Sequence, residues 1–192
     1  YTLVKTSYEQ AHSQMNTENL RVRSLLVDCF IDINSMSEEI ISDKVLRTLL
    51  NADYLNVTNV PFYLDSYTPI SNYHDSKSFI SDITIYSMNN TLKDGRYIKR
   101  ATPEVIDNYF SLISYPADVH WVSTKKNSDN EVTSSELTLV RSIPALAENK
   151  SAILVISISN NYLKNRIKNN TLYTSLQVND EPLFFSTTRS DQ

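Results

Sequence analysis

The sequence predicts an α+β fold in which a long N-terminal helix backs a mostly antiparallel sheet, and a short helix with a hairpin closes the chain. Two observations predict this architecture. An apolar heptad repeat runs through the first fifty residues, with no Gly or Pro before Pro61. Further along, the apolar period changes to that of strands, and the nearly continuous apolar run over 152–159 is typical of a central strand covered on both faces.

The long helix is predicted over residues 3–50, which corresponds to a length on the order of 70 Å. Six apolar residues are spaced four, three, four, three and four apart and form one seam along it: Val22, Leu26, Cys29, Ile33, Met36 and Ile40. Ser37 and Ser42 mark a place for a bend. Two interpretations stay open at this point. The helix covers the sheet, or its polar N-terminal half projects as a stem that pairs with a second copy.

Residues 51–75 are predicted as a connector rich in Asn, Tyr, Pro and Asp, with Val60, Phe62 and Leu64 packing down. A strand is predicted over 78–88. The Asp94-Gly95 pair that follows is a strong hairpin signal, so a short antiparallel partner strand is expected over 97–100.

The second half of the chain alternates turn signals with apolar runs. Thr102 before Pro103 predicts a capped helix to about residue 113. The remaining elements are strands over 119–124, 132–143 and 152–159, a polar turn over 125–130, a turn over 147–150, a helix over 162–168, and a hairpin of 172–178 with 183–186 around Asn179-Asp180.

Composition excludes several classes of function. The chain has 192 residues, a net charge of −4, one glycine and one cysteine. Phosphate-binding loops and the nucleophile elbow need at least two glycines, so both are excluded. A single cysteine excludes an intramolecular disulfide framework and a Cys-rich zinc site. The acidic balance argues against direct binding of nucleic acid. No run of apolar residues is long enough to span a membrane, so contact with a membrane is expected only through flanking segments.

Nothing in the sequence predicts an enzyme, a cofactor or a metal site. His12, His74 and His120 lie far apart, and the carboxylates form no pair with the geometry of a glycosidase. A hydrolase would need a cleft of close titratable groups, which the sequence does not indicate.

Aromatic and basic side chains on predicted strands are the candidate ligand-binding set. They are Tyr86, Tyr97, Trp121 and Arg141. Arg141 follows Leu137 and Leu139 at strand period, so its guanidinium faces the apolar side and needs a carboxylate or an anionic ligand. A structural ion pair and a ligand role are both open for Arg141. For Trp121, a place in the core and a place in a pocket wall are likewise both open.

The chain resembles the extracytoplasmic Cache (PAS-like) sensor region of bacterial sensor histidine kinases and membrane-anchored AraC-type regulators. The resemblance rests on the stretch from Tyr115 to Trp121 and on four others: LRTLLNADYL, ISDITIYSMNNTLKDG, LTLVRSIPALAENKSAILVISISNNYLKNRI and LQVNDEPLFFST. It implies a helical stem over 1–50, a PAS/Cache-like sensor module over 51–159, and the start of a second, rudimentary or truncated module over 160–192. The family's amino-acid-binding signature is not visible, so amino acids are not the expected ligand.

The function implied by the resemblance is that of a ligand-sensing domain outside the membrane, in a receptor whose output domain lies elsewhere. The chain, which begins at Tyr1, is then expected to be a fragment with anchors beyond its ends. The expected partners are a small molecule, such as a sugar or an organic acid, or another protein, and a second copy joined through the N-terminal helix. The alternative is a secreted or surface-anchored binding module for a small molecule or carbohydrate, without a signalling role.

Overall fold

A computed structural model describes residues 2–116, 118–128, 131–144, 146–147, 150–167, 174–178 and 181–186. The helices are α1 Thr2–Ser42, α2 Lys44–Asn51, α3 Val60–Asp65, α4 Pro69–Ser76, α5 Pro103–Asn108 and α6 Asn160–Ile167, with a 3-10 turn at Phe110–Leu112. The strands are β1 Ile80–Ser87, β2 Ile98–Arg100, β3 Val119–Ser128, β4 Glu131–Ile143, β5 Ala152–Ile158, β6 Thr174–Val178 and β7 Glu181–Ser186.

Five of the strands form one mixed sheet in the order β2-β1-β5-β4-β3. All of its neighbouring strands are antiparallel except β1 and β2. The predicted α+β class is therefore confirmed, and so is the central position of β5, whose side chains are buried at six of seven positions. Strands β6 and β7 pair with each other. The predicted turn at Asn179-Asp180 lies outside the described residues.

The predicted Asp-Gly hairpin is wrong. Strand β2 runs parallel to β1, with Ile98 beside Ile85, so the chain must return along the sheet before β2 begins. The buried Asn89 side chain shapes that return. It donates to the carbonyls of Leu50 and Ala52 and accepts from the backbone of Thr91. The first two bonds satisfy carbonyls at the end of α2, and the third satisfies a backbone amide within the connection between β1 and β2.

Gly95 serves close packing rather than a turn, because its φ angle is not positive. A Cβ atom placed on Gly95 would lie 2.8 Å from Oδ1 of Asp65 and 3.1 Å from Cβ of Leu64. The same Asp65 oxygen accepts a hydrogen bond from the Arg96 amide at 2.6 Å. Only a residue without a side chain lets this segment approach α3 so closely.

The long helix breaks once, at Asp43, beside the bend position indicated by Ser42. Asp43 caps α2, since its Oδ1 accepts from the Val45 amide at 2.7 Å. Its Oδ2 accepts from the Tyr67 hydroxyl at 2.8 Å. The Asp43 carboxylate therefore caps the start of α2 and also binds the connector, through Tyr67, to the position where the long helix breaks.

Two other segments also differ from the prediction. The connector contains the short helices α3 and α4, each with Pro in its first turn. Within it Val60 and Leu64 are buried as expected, but Phe62 is exposed. Strands β3 and β4 extend to Ser128 and from Glu131, so most of the predicted turn over 125–130 belongs to the strands.

The seam of α1 divides into two parts. Cys29, Ile33, Met36 and Ile40 are buried in the main core, while Val22 and Leu26 are half-buried against it. The interpretation of α1 as a helix that covers the sheet is confirmed for this stretch. Between Glu9 and Arg21, every side chain except that of Glu18 is exposed, so the N-terminal part extends beyond the core.

Candidate functional site

The two faces of the sheet have different covers. Helix α1 packs on one face and shares the main core with α2, the connector and Leu163 of α6. The 3-10 turn and α5 pack on the other face. That second face has a smaller core of three buried strand residues: Val140, Ile153 and Val155.

Arg141 lies on the α1 face, as the strand period predicted, and is only 8% exposed. Its Nη1 donates to the Ser37 hydroxyl at 2.8 Å, and its Nη2 lies 3.3 Å from Oε1 of Glu38. Its Nε has no hydrogen-bond partner among the described residues. The guanidinium therefore engages α1 directly, and the ion-pair interpretation is the one that the contacts favour.

Trp121 also lies on the α1 face, half-buried against the main core. Its ring centroid is 4.7 Å from that of Phe30 in α1, with the planes tilted by 53°. Trp121 and Arg141 thus contact the same helix from neighbouring strands, at positions about two helical turns apart.

Tyr97 lies at the opposite edge of the sheet, just before β2. Its ring lies 5.8 Å from that of His74, and the Arg96 guanidinium is 4.8 Å from its centroid. The Tyr97 hydroxyl is buried without a hydrogen-bond partner among the described residues.

Tyr86 faces the other side of the sheet, beneath Tyr109. Burial raises the pKa of the Tyr86 phenol, and the nearby Asp82 carboxylate raises it further. Burial likewise raises the pKa of Tyr109. The four predicted ligand-binding residues therefore do not meet at one site: Trp121 and Arg141 lie together, and Tyr86 and Tyr97 lie elsewhere.

A cavity of about 280 Å³ lies at one end of the sheet, between the 3-10 turn and the ends of β4 and β5. None of the four predicted residues lines it. Its walls are Phe110, Ile113, Ser114, Tyr115, Pro116, Ser142, Ile143, Pro144, Leu146, Ala147, Ser151, Ala152 and Ile153. Among the described residues of this lining no side chain carries a charge, and the polar side chains are three serines and Tyr115. The cavity suits a small uncharged molecule that offers hydroxyl or carbonyl groups.

One carboxylate shapes the loop above the cavity. Oδ2 of Asp118 accepts from the Ser114 amide at 3.1 Å and lies 3.1 Å from Nε2 of His120. The bond from Ser114, followed by the contact with His120, lowers the pKa of Asp118. The Ser142 hydroxyl donates to the Tyr115 carbonyl at 3.3 Å, which ties β4 to the same loop.

The cavity is linked to the helices by two routes. Ser142 lines it, and the preceding residue, Arg141, holds Ser37 and Glu38 of α1. Ala147 also lines it, and its amide donates to Oδ1 of Asn51 at 2.7 Å. Lys150 extends this second link, because its Nζ donates to the Asn51 carbonyl at 2.6 Å.

The cavity was not predicted because its walls are apolar residues and serines that carry no recognisable motif. One local signal was present: Tyr115-Pro116, between a helix and a strand, was interpreted only as a loop anchor. The 74% exposure of Tyr115 is unusual for a large aromatic side chain and marks this loop.

Comparison with protein-family models finds no match to this chain, and comparison with curated proteins finds none either. Within the described ranges, no group of three or more His, Cys, Asp or Glu side chains is arranged to hold a metal ion. None of the described helices combines the length and the apolar character needed to cross a membrane.

Proposed function

We propose that this chain is the ligand-sensing domain of a signalling receptor, located outside the membrane and carrying no catalytic activity of its own. A small uncharged ligand binds in the cavity beneath Tyr115, and α1 passes the change to an output domain. The absence of charged side chains among the described lining residues favours a hydroxylated molecule such as a sugar over an organic acid. The PAS/Cache-like assignment and the second module over 160–192 belong to the same proposal.

The observation that carries the proposal is the adjacency of Ser142 and Arg141. Successive residues of a strand face opposite sides of the sheet, so a movement of β4 at the cavity is also a movement of the guanidinium that holds α1. A ligand changes the state of α1 only if it binds one arrangement better than the other. The contacts of Arg141 with Ser37 and Glu38 are the part that would differ between the two arrangements.

A second copy completes the proposed receptor. The buried part of the seam faces the sheet of its own chain, so the pairing surface must lie elsewhere on α1. Leu20, Val27 and Ile31 are exposed and lie within about 40° of one another on the opposite side of the helix. Their spacing of seven and four residues is that of a coiled coil.

The test begins with a thermal-shift screen of sugars, polyols, organic acids and amines. Hydrogen exchange of α1 is then measured with and without the compound that binds. We expect a saturable shift from an uncharged compound and a change of exchange over residues 34–42. A screen without any shift would contradict the proposal, and binding that leaves α1 unchanged would favour the binding module without a signalling role.

The variant Arg141→Met tests whether ligand binding in the cavity can be separated from the change in α1. The Glu38 side chain is 66% exposed, so its carboxylate stays hydrated when the guanidinium is removed and no unpaired charge is left buried. We expect the variant to bind the ligand within about threefold of the original affinity, a change of less than 1 kcal/mol, and to lose the change in α1. Arg100→Met, at an exposed position on β2, is the matched control and should keep both. A full response in Arg141→Met would overturn the proposed route.

A further inference from the structure

A second depression lies at the other end of β5 from the cavity, between α1 and α6. It has a volume of about 510 Å³. Arg21, Asp28 and Asp32 of α1 line one wall, and Phe79 and Tyr162 line the other. We refer to it as the stem groove. Its composition differs from that of the cavity, because it combines aromatic rings with carboxylates.

The aromatic wall is built by two rings from different elements. Phe79 lies just before β1, Tyr162 lies in α6, and their centroids are 6.0 Å apart in an edge-to-face arrangement. Aromatic rings attract cations to their faces, and the attraction grows as the site loses water.

The protein itself places an ammonium group beside this wall. Nζ of Lys77 lies 5.8 Å from the Phe79 centroid and 3.2 Å from Oδ2 of Asp32. The combination of this ring and this carboxylate is therefore already used to hold a primary amine. Lys77 is attached just outside the groove and leaves the volume between Asp28 and Tyr162 open.

Among the described residues, the ion pairs beside the groove leave one carboxylate without a cationic partner. Arg21 is paired with Glu18 at 2.9 Å, and Lys77 is paired with Asp32. Asp28 has no cationic partner among the residues that the structure describes. One turn of helix separates Asp28 from Asp32, so the two carboxylates lie on the same side of α1.

From the open volume, the aromatic wall and the charge left on Asp28, we infer that the stem groove binds a cationic organic ligand with an apolar body, such as an aryl-alkyl amine. The ammonium lies against Asp28, and the apolar body packs on Phe79 and Tyr162. Such a ligand bridges α1 to the start of β1 and to α6. This site is separate from the cavity and does not depend on the proposed function.

The test is isothermal calorimetry of the chain with 2-phenylethylamine and with its neutral analogue, 2-phenylethanol. We expect saturable binding of the amine and at least tenfold weaker binding of the alcohol. Asp28→Asn should weaken amine binding about tenfold, whereas Asp107→Asn removes the same charge on α5 and should leave it unchanged. Equal binding of the two compounds, absence of saturable binding, or an unchanged affinity in Asp28→Asn would overturn the inference.

Lys77→Ala gives an independent readout, because it removes the competing ammonium from the Phe79 ring. We expect amine affinity to rise several-fold in this variant. Lys93→Ala removes the same charge at an exposed position and should leave the affinity unchanged. An equal response in both lysine variants, or no response in Lys77→Ala, would overturn the assignment of Phe79 to the ligand. Thermal unfolding of all four variants checks that they remain folded.

Discussion

At the scale of single residues, Gly95 shows how one signal has two physical meanings. Asp-Gly predicts a turn because glycine accepts positive φ without cost. At this position glycine is needed because there is no room for a side chain. Asp65 and Leu64 occupy the space where the Cβ atom of residue 95 would lie. A pattern of residue types cannot distinguish these cases, since the neighbours that fill the space come from α3, thirty residues earlier in the chain.

Gly95→Ala is expected to lower the free energy of unfolding by about 1–3 kcal/mol, because the methyl group displaces Asp65 from the Arg96 amide. Gly95→Asn should cost at least as much, since its side chain is larger. Urea denaturation followed by circular dichroism measures both, with Asn90→Ala in the same connection as a control. If Gly95→Asn lowered the free energy of unfolding less than Gly95→Ala does, the result would instead indicate a left-handed turn at this position.

At the scale of elements, the heptad seam predicted the helix α1 correctly. It did not decide whether the seam packs on the sheet of the same chain or on a second copy of the helix. The same apolar stripe serves a sheet or a second helix, and only the position of the sheet decides between them. Ile33 and Ile40 are almost fully buried against their own sheet, while the described side chains from Glu9 to Arg21 are exposed, except that of Glu18. The break at Asp43 was marked by Ser42, but its bond with Tyr67 joins residues 24 apart and has no local signature.

Two tyrosines anchor the connector to the end of α1 and should make this junction sensitive to alkali. Burial, followed by the hydrogen bond to Asp43, raises the pKa of Tyr67 well above its usual value. Burial and a hydrogen bond to Glu39 raise the pKa of Tyr73 to about 12. A raised pKa in the folded state means that the stabilisation is complete below pH 10 and is lost as the pH rises through the folded pKa.

Tyr67→Phe is therefore expected to cost about 1–2 kcal/mol of stability at pH 7, where the bond to Asp43 is intact. The difference from the original protein should shrink above pH 10, because the Tyr67 phenol of the unfolded chain then ionises while the buried phenol stays protonated. Urea titrations at pH 7, 9 and 11 measure the two proteins, with Tyr63→Phe on the exposed side of α3 as the control. A difference that is constant over this range would contradict the role of ionisation.

At the scale of the whole molecule, composition and period predicted the class of fold, the central strand and the order of most elements. The parallel pairing of β2 was not predictable, because it depends on a return path fixed by Asn89 and Gly95. The candidate cavity was not predictable either. Its walls, from Phe110 to Ile153, meet only when the 3-10 turn closes over the ends of two strands.

Self-association belongs to the same scale and can be measured directly. The exposed stripe covers about two heptads, which is less than the roughly 800 Å² per partner of a stable interface. We expect a reversible dimer with a dissociation constant in the micromolar range or weaker. Ile31→Glu should weaken it at least tenfold in sedimentation velocity, whereas Asn19→Glu, on another side of α1, should not. A monomer at all concentrations, or equal effects of the two variants, would contradict this pairing surface.

The strand order also governs how the chain is assembled during synthesis. Strand β5 joins β1 to the β3–β4 hairpin, and its residue Leu154 pairs with Ile85, 69 positions earlier. Until β5 leaves the ribosome, β1 and β4 have no central neighbour, and their apolar faces are open to other nascent chains. Such distant pairing slows folding and favours aggregation of incomplete chains. Fragments that stop before residue 152 should therefore need a chaperone, whereas those that include β5 can close the sheet themselves.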